Sequence, residues 1–203
     1  MKTIQHFIFI GIVVCGCHKV KAQLDYNMLY SIHVERNSSL DGTFKAITHT
    51  PTYVMIASPL STGITGLLKK DKSLLQKASF QLIGIGINGI LTISLKEIVS
   101  RDRPFVTFSE FTALTSAGSK SFPSGHTSSS FNIATSLSLS FPKWYVIAPS
   151  VVWASAVGYS RMHLGVHYPS DVLVGALIGS GTAFGSFYLN KWFWKEQKPQ
   201  KKL

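Results

Sequence analysis

Three short clusters in this chain combine cations, histidines and a carboxylate at spacings that suit chemistry on an anion. The first is Lys96, Arg103 and Pro104, just past an apolar stretch. The second is Pro123-Ser124-Gly125-His126, and the third is Ser160-Arg161 followed by His167 and Asp171. Lys96, Arg103 and Arg161 stand at the ends of apolar segments, where a buried charge is costly unless an anion compensates it. Arginine offers a planar fork that fits phosphate oxygens, and lysine adds a point charge. Ser124 and Gly125 fall at a helix start, where free N–H groups and the helix dipole favour an anion. Gly125 has no side chain to hold a ligand away from the backbone. Asp171 follows His167 by one helical turn and can reach back to it. A carboxylate on one ring nitrogen fixes the tautomer and leaves the other nitrogen free to attack. His167 is therefore the candidate nucleophile, because a phosphoryl-imidazole divides hydrolysis into two easier steps. His126, beside the anion site, is placed to protonate the leaving oxygen. Three cations and a helix start can stabilise a trigonal bipyramidal phosphorus, so neither a metal nor another cofactor is expected.

Taken singly, these residues have plainer uses: a structural histidine, an interface lysine, a helix start. It is their conjunction that points to catalysis. Neighbouring residues are read more conservatively. His163, four residues before His167, is taken as an interface histidine, with pocket lining as the alternative. Arg101 and Asp102 read as a solvated local pair, and Arg101 could also meet a lipid headgroup. Phe105, Phe108 and Phe111 suggest a loop or short helix dipping into a membrane interface, or plain packing. Asn37-Ser38-Ser39 is a glycosylation sequon only in a eukaryotic secretory host. Gly84-Ile85-Gly86-Ile87-Asn88-Gly89 matches a dinucleotide fingerprint, but it lies inside an apolar helix with no preceding strand. Close helix packing explains these glycines better, and likewise the pairs Gly175/Gly179 and Gly181/Gly185.

The three clusters together resemble the complete signature of the type 2 phosphatidic acid phosphatase superfamily. That superfamily also contains bacterial class A acid phosphatases and vanadium haloperoxidases. The resemblance is strong over residues 96–171 and weaker over the helical remainder of 24–190. It implies an all-α bundle and metal-independent phosphomonoester hydrolysis. It further implies His167 as nucleophile, His126 as acid and Asp171 as the orienting group, with Lys96, Arg103, Ser124, Gly125 and Arg161 holding phosphate.

The elements that must position these residues can be traced along the chain. Lys2 and the apolar run Phe7–Cys17, followed by Val20-Lys21-Ala22, read as a signal peptide over residues 1–22 cleaved before Gln23. A lipoprotein end at Cys17 and an uncleaved anchor are the alternatives. Both cysteines lie in this segment, so a chain starting at Gln23 has no disulfide. A phosphatase domain is expected over 23–190 and a basic tail over 191–203. Leu24, Met28, Leu29, Ile32 and Val34 predict a short amphipathic helix, with a turn at Asn37-Ser38-Ser39. Uncharged runs cover Thr52–Leu68, interrupted by Pro59, then Ala78–Leu95, Trp144–Ser160 and Val172–Asn190. A further helix, rich in Ser and Thr, should run from Pro123 to about Ser140.

Runs of this length reach about 26–29 Å as helices, close to the hydrocarbon thickness of a bilayer. With the mature N-terminus outside and five crossings, Lys69–Lys72, Lys143 and the lysine tail fall inside, as the positive-inside rule expects. All three chemical clusters then fall on the outer face. The 203 residues carry a net charge of +11 but only 14% charged residues against 45% hydrophobic ones. That balance excludes a disordered chain. Loss of residues 1–22 removes three lysines and no acid, leaving +8. Export argues against a nucleic-acid partner, and the basic balance fits a membrane protein that also binds phosphate. The expectation is a five-helix transmembrane bundle hydrolysing a lipid phosphate or pyrophosphate at the outer face of a bacterial inner membrane. A soluble periplasmic acid phosphatase acting on small phosphomonoesters is the second reading, because the third helix is polar and Pro59 interrupts the first. A vanadate-dependent haloperoxidase and a non-enzymatic membrane scaffold complete the alternatives.

Overall fold

The computed structural model describes residues 22–118 and 120–196. The signal peptide and the far end of the basic tail lie outside the described residues, apart from Ala22. Every regular element among the described residues is helical, as expected. Helix α1 covers 22–33, and a 3-10 turn at Ser38–Leu40 leads into α2 (Asp41–Leu68). Then come α3 (Lys72–Val99), a short α4 (Pro104–Thr107), α5 (Gly125–Ser140), α6 (Trp144–His163) and α7 (Pro169–Glu196).

Local chemistry sets the ends. The Asn37 side chain accepts from the Ser39 N–H to start the 3-10 turn. Asp71, inside the basic break, caps α3 by accepting from the N–H groups of Ser73 and Leu74. Ser100, in left-handed conformation at φ 48°, stops α3 just before the first site cluster. Pro169 opens α7, where its missing N–H is no loss. The expected interruption of α2 does not occur: the helix starts eleven residues before Thr52 and runs through both Pro51 and Pro59. Pro51 cannot bond the carbonyl of Ile47, and the Thr50 hydroxyl donates to that carbonyl instead, at 2.8 Å.

Helices α2, α3, α7 and α6 form a closed ring, each packing on the next, and α5 runs through its centre touching all four. This placement accounts for the polarity of α5. Its Ser, Thr and Asn side chains meet other helices rather than water or lipid, with Thr127, Ser128, Ser130, Asn132 and Ser136 all buried. The ring is apolar on the outside and polar within. Ile90 is 71% exposed, Ile93 63% and Leu177 64%, whereas Gln81, Ser136 and Ser186 are fully buried. A water-soluble bundle has the opposite arrangement. Two segments, Lys72–Thr107 and Pro169–Phe193, are long and apolar enough to cross a membrane, and little of either is buried in the bundle.

Small residues let the centre close. A Cβ on Gly175 would stand 2.7 Å from the carbonyl oxygen of Ser124, and one on Gly179 would overlap that of Ser128. Gly84 is also tight, at 3.3 Å from Ser186 Oγ. Packing does not explain Gly86, Gly89, Gly181 or Gly185: a Cβ at any of them meets nothing within 4 Å. Gly86, Gly181 and Gly185 are exposed and Gly89 borders open space between α2 and α3, so the close-packing expectation is corrected there.

Helix α1 lies across the end of the ring that carries α3's last turn and the first turns of α5 and α7. Its Leu29 joins Phe111 and Tyr168 in a buried cluster, with Tyr26, Tyr30, Phe105 and Phe108 around it. The three phenylalanines therefore pack against α1 and the site loops, and Phe111 is 2% exposed.

Candidate active site

All eight residues expected to carry chemistry converge at this end of the ring. Lys96 comes from the last turn of α3 and Arg103 from the residue before α4. Ser124, Gly125 and His126 begin α5, Arg161 closes α6, and His167 and Asp171 flank the start of α7. Alternating helix direction brings these termini together.

His167 is 2% exposed, in the loop between α6 and α7. Its Nε2 lies 3.2 Å from an Arg103 guanidinium N–H. Arginine can only donate, so Nε2 must carry the lone pair and Nδ1 the proton. That proton faces Oδ2 of Asp171 at 3.4 Å, a long contact, and Ser121 Oγ at a similar distance. Burial pushes the imidazole down to about 3, against the pull of Asp171, so the ring is neutral and its Nε2 lone pair available at neutral pH. Asp171 Oδ2 also accepts from the Ser121 hydroxyl and from the Tyr168 N–H.

The cations are held by neutral oxygens, backbone carbonyls for Lys96 and Arg103 and a hydroxyl for Arg161, which position them without cancelling their charge. Lys96 Nζ donates to the carbonyl of Lys120 at 2.9 Å. Arg103 donates to the carbonyls of Gly118 and Val166, both at 2.7 Å. Arg161 is 2% exposed and donates to Thr48 Oγ1 from α2, while its Nε finds no partner among the described residues. A buried guanidinium N–H without an acceptor is expensive, and an anion would satisfy it. At the start of α5, Ser124 departs from expectation. Its N–H is taken by the Asp171 carbonyl and its hydroxyl pairs with Thr127, so the open donors begin at Gly125. The His126 ring has no hydrogen-bond partner among the described residues. It borders a cavity of about 300 Å³ with Lys96 and Gly125, between Pro51, Thr52 and Met55 of α2 and Asn88, Thr92 and Ile93 of α3.

Two neighbouring residues are corrected. Arg101 does not pair with Asp102. One arm of its guanidinium bonds Asp171 Oδ1 and the other Asp25 Oδ2, both at 2.8 Å, while Asp102 is exposed and 3.9 Å from Lys120. The physical reason is that a buried carboxylate attracts a cation more strongly than a solvated one does. His163 lies neither in the pocket nor at an interface with lipid: it is buried, its ring tilted against Phe44 at 4.3 Å, and its Nε2 is 2.8 Å from Asp41. Sequence reasoning missed Ser121, Thr48 and Asp25 outright. It could have found Arg101, a cation at an apolar segment's end like Lys96, but no local signal marks the other three. Among the described residues no three His, Cys, Asp or Glu side chains gather as a metal site would require.

Comparison with known proteins places the chain among membrane lipid phosphatases by sequence and fold similarity. Undecaprenyl-diphosphatase BcrC of Bacillus subtilis is 29% identical over 157 residues, covering 76% of this chain and 78% of that protein. The crystal structure of Aquifex aeolicus LpxE has a similar fold, with a TM-score of 0.70 at 30% identity over 81% of this chain and 95% of that one. A PAP2-type phosphatidylglycerolphosphate phosphatase from Bacillus subtilis matches with a TM-score of 0.70 at 28% identity, covering 96% of both chains. The family model of the PAP2 superfamily matches residues 77–195, more than half of the chain. The chain belongs to the PAP2 superfamily and is a phosphatase of that type.

Proposed function

We propose that this protein removes phosphate from a lipid monophosphate or diphosphate at the outer face of a bacterial inner membrane, with α2, α3, α5, α6 and α7 each crossing once. The observation that carries this reading is a buried cationic pocket at one end of a bundle whose exterior is apolar. Its lateral cavity between α2 and α3 leads from Lys96 and His126 towards that exterior. A phosphate headgroup can sit on the cations while an apolar tail leaves through the ring. The lysines at the α2–α3 turn, Lys143 and Lys191 lie at the opposite end, which suits the cytoplasmic side.

In the first step Nε2 of His167 attacks phosphorus, and the bond from phosphorus to the lipid oxygen breaks. His126, protonated under the field of the bound anion, gives its proton to that oxygen. Lys96, Arg103, Arg161 and the first N–H groups of α5 hold the equatorial oxygens, and Asp171 balances the positive imidazole. In the second step His126 takes a proton from water, whose oxygen attacks phosphorus while the phosphorus–Nε2 bond breaks, returning the lone pair to His167 and releasing inorganic phosphate.

The test is phosphate release by purified wild type and His167→Ala in detergent. Undecaprenyl diphosphate, phosphatidylglycerophosphate, phosphatidate, lipid A and p-nitrophenyl phosphate form the panel. At least one lipid should be preferred over the soluble ester, and His167→Ala should release none. Undiminished release by His167→Ala would refute the mechanism. A preference for the soluble ester, with the protein in the aqueous fraction after lysis, would favour the soluble acid phosphatase.

A further inference from the structure

The network behind Asp171 reaches a residue that no sequence cluster contains. Asp25, on α1, is 8% exposed although it is charged. Its Oδ2 accepts from Arg101 at 2.8 Å and from the Ser170 hydroxyl, and its Oδ1 accepts the Ser170 N–H at 2.9 Å. The other arm of Arg101 bonds Asp171 Oδ1 at 2.8 Å. The guanidinium carbon stands over the Tyr168 ring, 3.8 Å from its centroid, a cation–π contact that helps hold it there. One cation is thus divided between two carboxylates, and one of those carboxylates faces the nucleophile.

We infer that Asp25 is a positioning residue for the phosphatase reaction, acting through Arg101 to set the charge that Asp171 offers His167. The inference rests on reading His167 as nucleophile and Asp171 as its partner. Two carboxylates and one guanidinium carry a net charge of −1, and without Asp25 the remaining pair is neutral. The imidazole becomes cationic when Nε2 bonds phosphorus, so a net negative neighbour lowers that barrier and a neutral one does not. Without Asp25, Arg101 would keep Asp171 Oδ1 and the Ser170 hydroxyl, both at 2.8 Å, so what changes is the charge around Asp171. Asp25 itself stands beyond Asp171 and Arg101 from the phosphate cations, so substrate binding should not sense it. The expected signature is a loss in kcat with KM unchanged. Partners one shell removed from a reacting group typically cost about 10- to 100-fold when removed.

Asp25→Asn keeps the shape and an acceptor for the Ser170 N–H while removing the charge, and Asp25→Glu keeps the charge. The pair is measured beside Asp171→Asn for kcat, KM and thermal midpoint, in full-length protein. The inference predicts that Asp25→Asn loses at least tenfold in kcat at wild-type KM, and that Asp25→Glu recovers most of it. In an Arg101→Gln background Asp25→Asn should cost less than threefold, because the route through Arg101 is already cut. Wild-type kcat in Asp25→Asn, or an equal loss in the Arg101→Gln background, overturns the inference while the site assignment stands. Full activity in Asp171→Asn overturns the site assignment itself. Should Asp25→Asn fail to fold, a kcat in Asp25→Glu as low as that of Arg101→Gln also overturns the inference.

Discussion

The middle of the bundle and its outer end both bury polar side chains, yet they use them differently. In the middle every group is neutral. Asn132 Nδ2 donates to the Gly84 carbonyl and to Thr182, and Asn88 and Thr92 meet the Ser128 hydroxyl. At the outer end Lys96, Arg101, Arg103 and Arg161 face only Asp25 and Asp171 as buried carboxylates. Among the described residues both regions leave atoms without partners: Gln81 Nε2, Asn132 Oδ1, Ser136 Oγ and Ser140 Oγ in one, Arg161 Nε in the other. An open amide or hydroxyl oxygen costs about 1–3 kcal/mol, which a well-packed bundle tolerates. An open guanidinium costs more and has a chemical remedy, an oxyanion. Buried polarity thus glues helices in one half and awaits a ligand in the other.

This contrast can be broken by substitution. The largest effect belongs to the outer end: His126→Ala should lower kcat by about 10²- to 10⁴-fold, through loss of acid–base catalysis, with an unchanged thermal midpoint. Comparable turnover in that variant, measured by phosphate release, would separate His126 from the chemistry. Next comes the backbone contact in the middle. Gly179→Ala forces a methyl group into the Ser128 carbonyl and should cost about 3 kcal/mol. Gly181→Ala, two residues on, meets open space and should be neutral or gain up to about 1 kcal/mol. Urea or thermal unfolding in detergent compares the two. Asn132→Ala removes neutral hydrogen bonds only and should cost about 1 kcal/mol, leaving kcat near wild type.

The last effect is invisible at neutral pH and develops only in acid. The unfolded chain protonates His167 near 6.5, whereas the folded chain resists until about 3. Between those values the unfolded state binds more protons, so the stability from this group is complete above 6.5 and is lost as pH falls towards 3. Thermal midpoints from pH 7.5 to 4.5 should therefore fall more steeply for wild type than for His167→Asn. Parallel slopes would show that the imidazole is not held neutral.

The same contrast explains what could be read from the chain alone. The proximity of residues close in sequence, such as His167 with Asp171 or Gly125 with His126, is legible from spacing. So is the number of long helices, because charge-free runs mark them. Polarity within a helix is not. The Ser and Thr of α5 suggested solvent, when they signal a helix enclosed by four others, and periodicity does not distinguish water from a polar neighbour. Long-range pairs were equally hidden. Arg101 finds Asp25 across 76 residues and Arg161 finds Thr48 across 113, and neither separation leaves a local trace. Adjacency in sequence points Arg101 to Asp102, whereas the fold gives it Asp25 and Asp171.

The contact of Gly175 and Gly179 with α5 has a mechanical consequence. Two helices whose backbones touch have no side-chain cushion to compress, so α5 and α7 move as one rod. His126 rides on one of them, and His167 is anchored at the head of the other. Lateral pressure from the surrounding lipid falls on the whole ring, but α2 and α3 lack such a seam with the centre and can yield. On the proposed reading, the gap between α2 and α3 can then breathe while the separation of His126 and His167 stays constant.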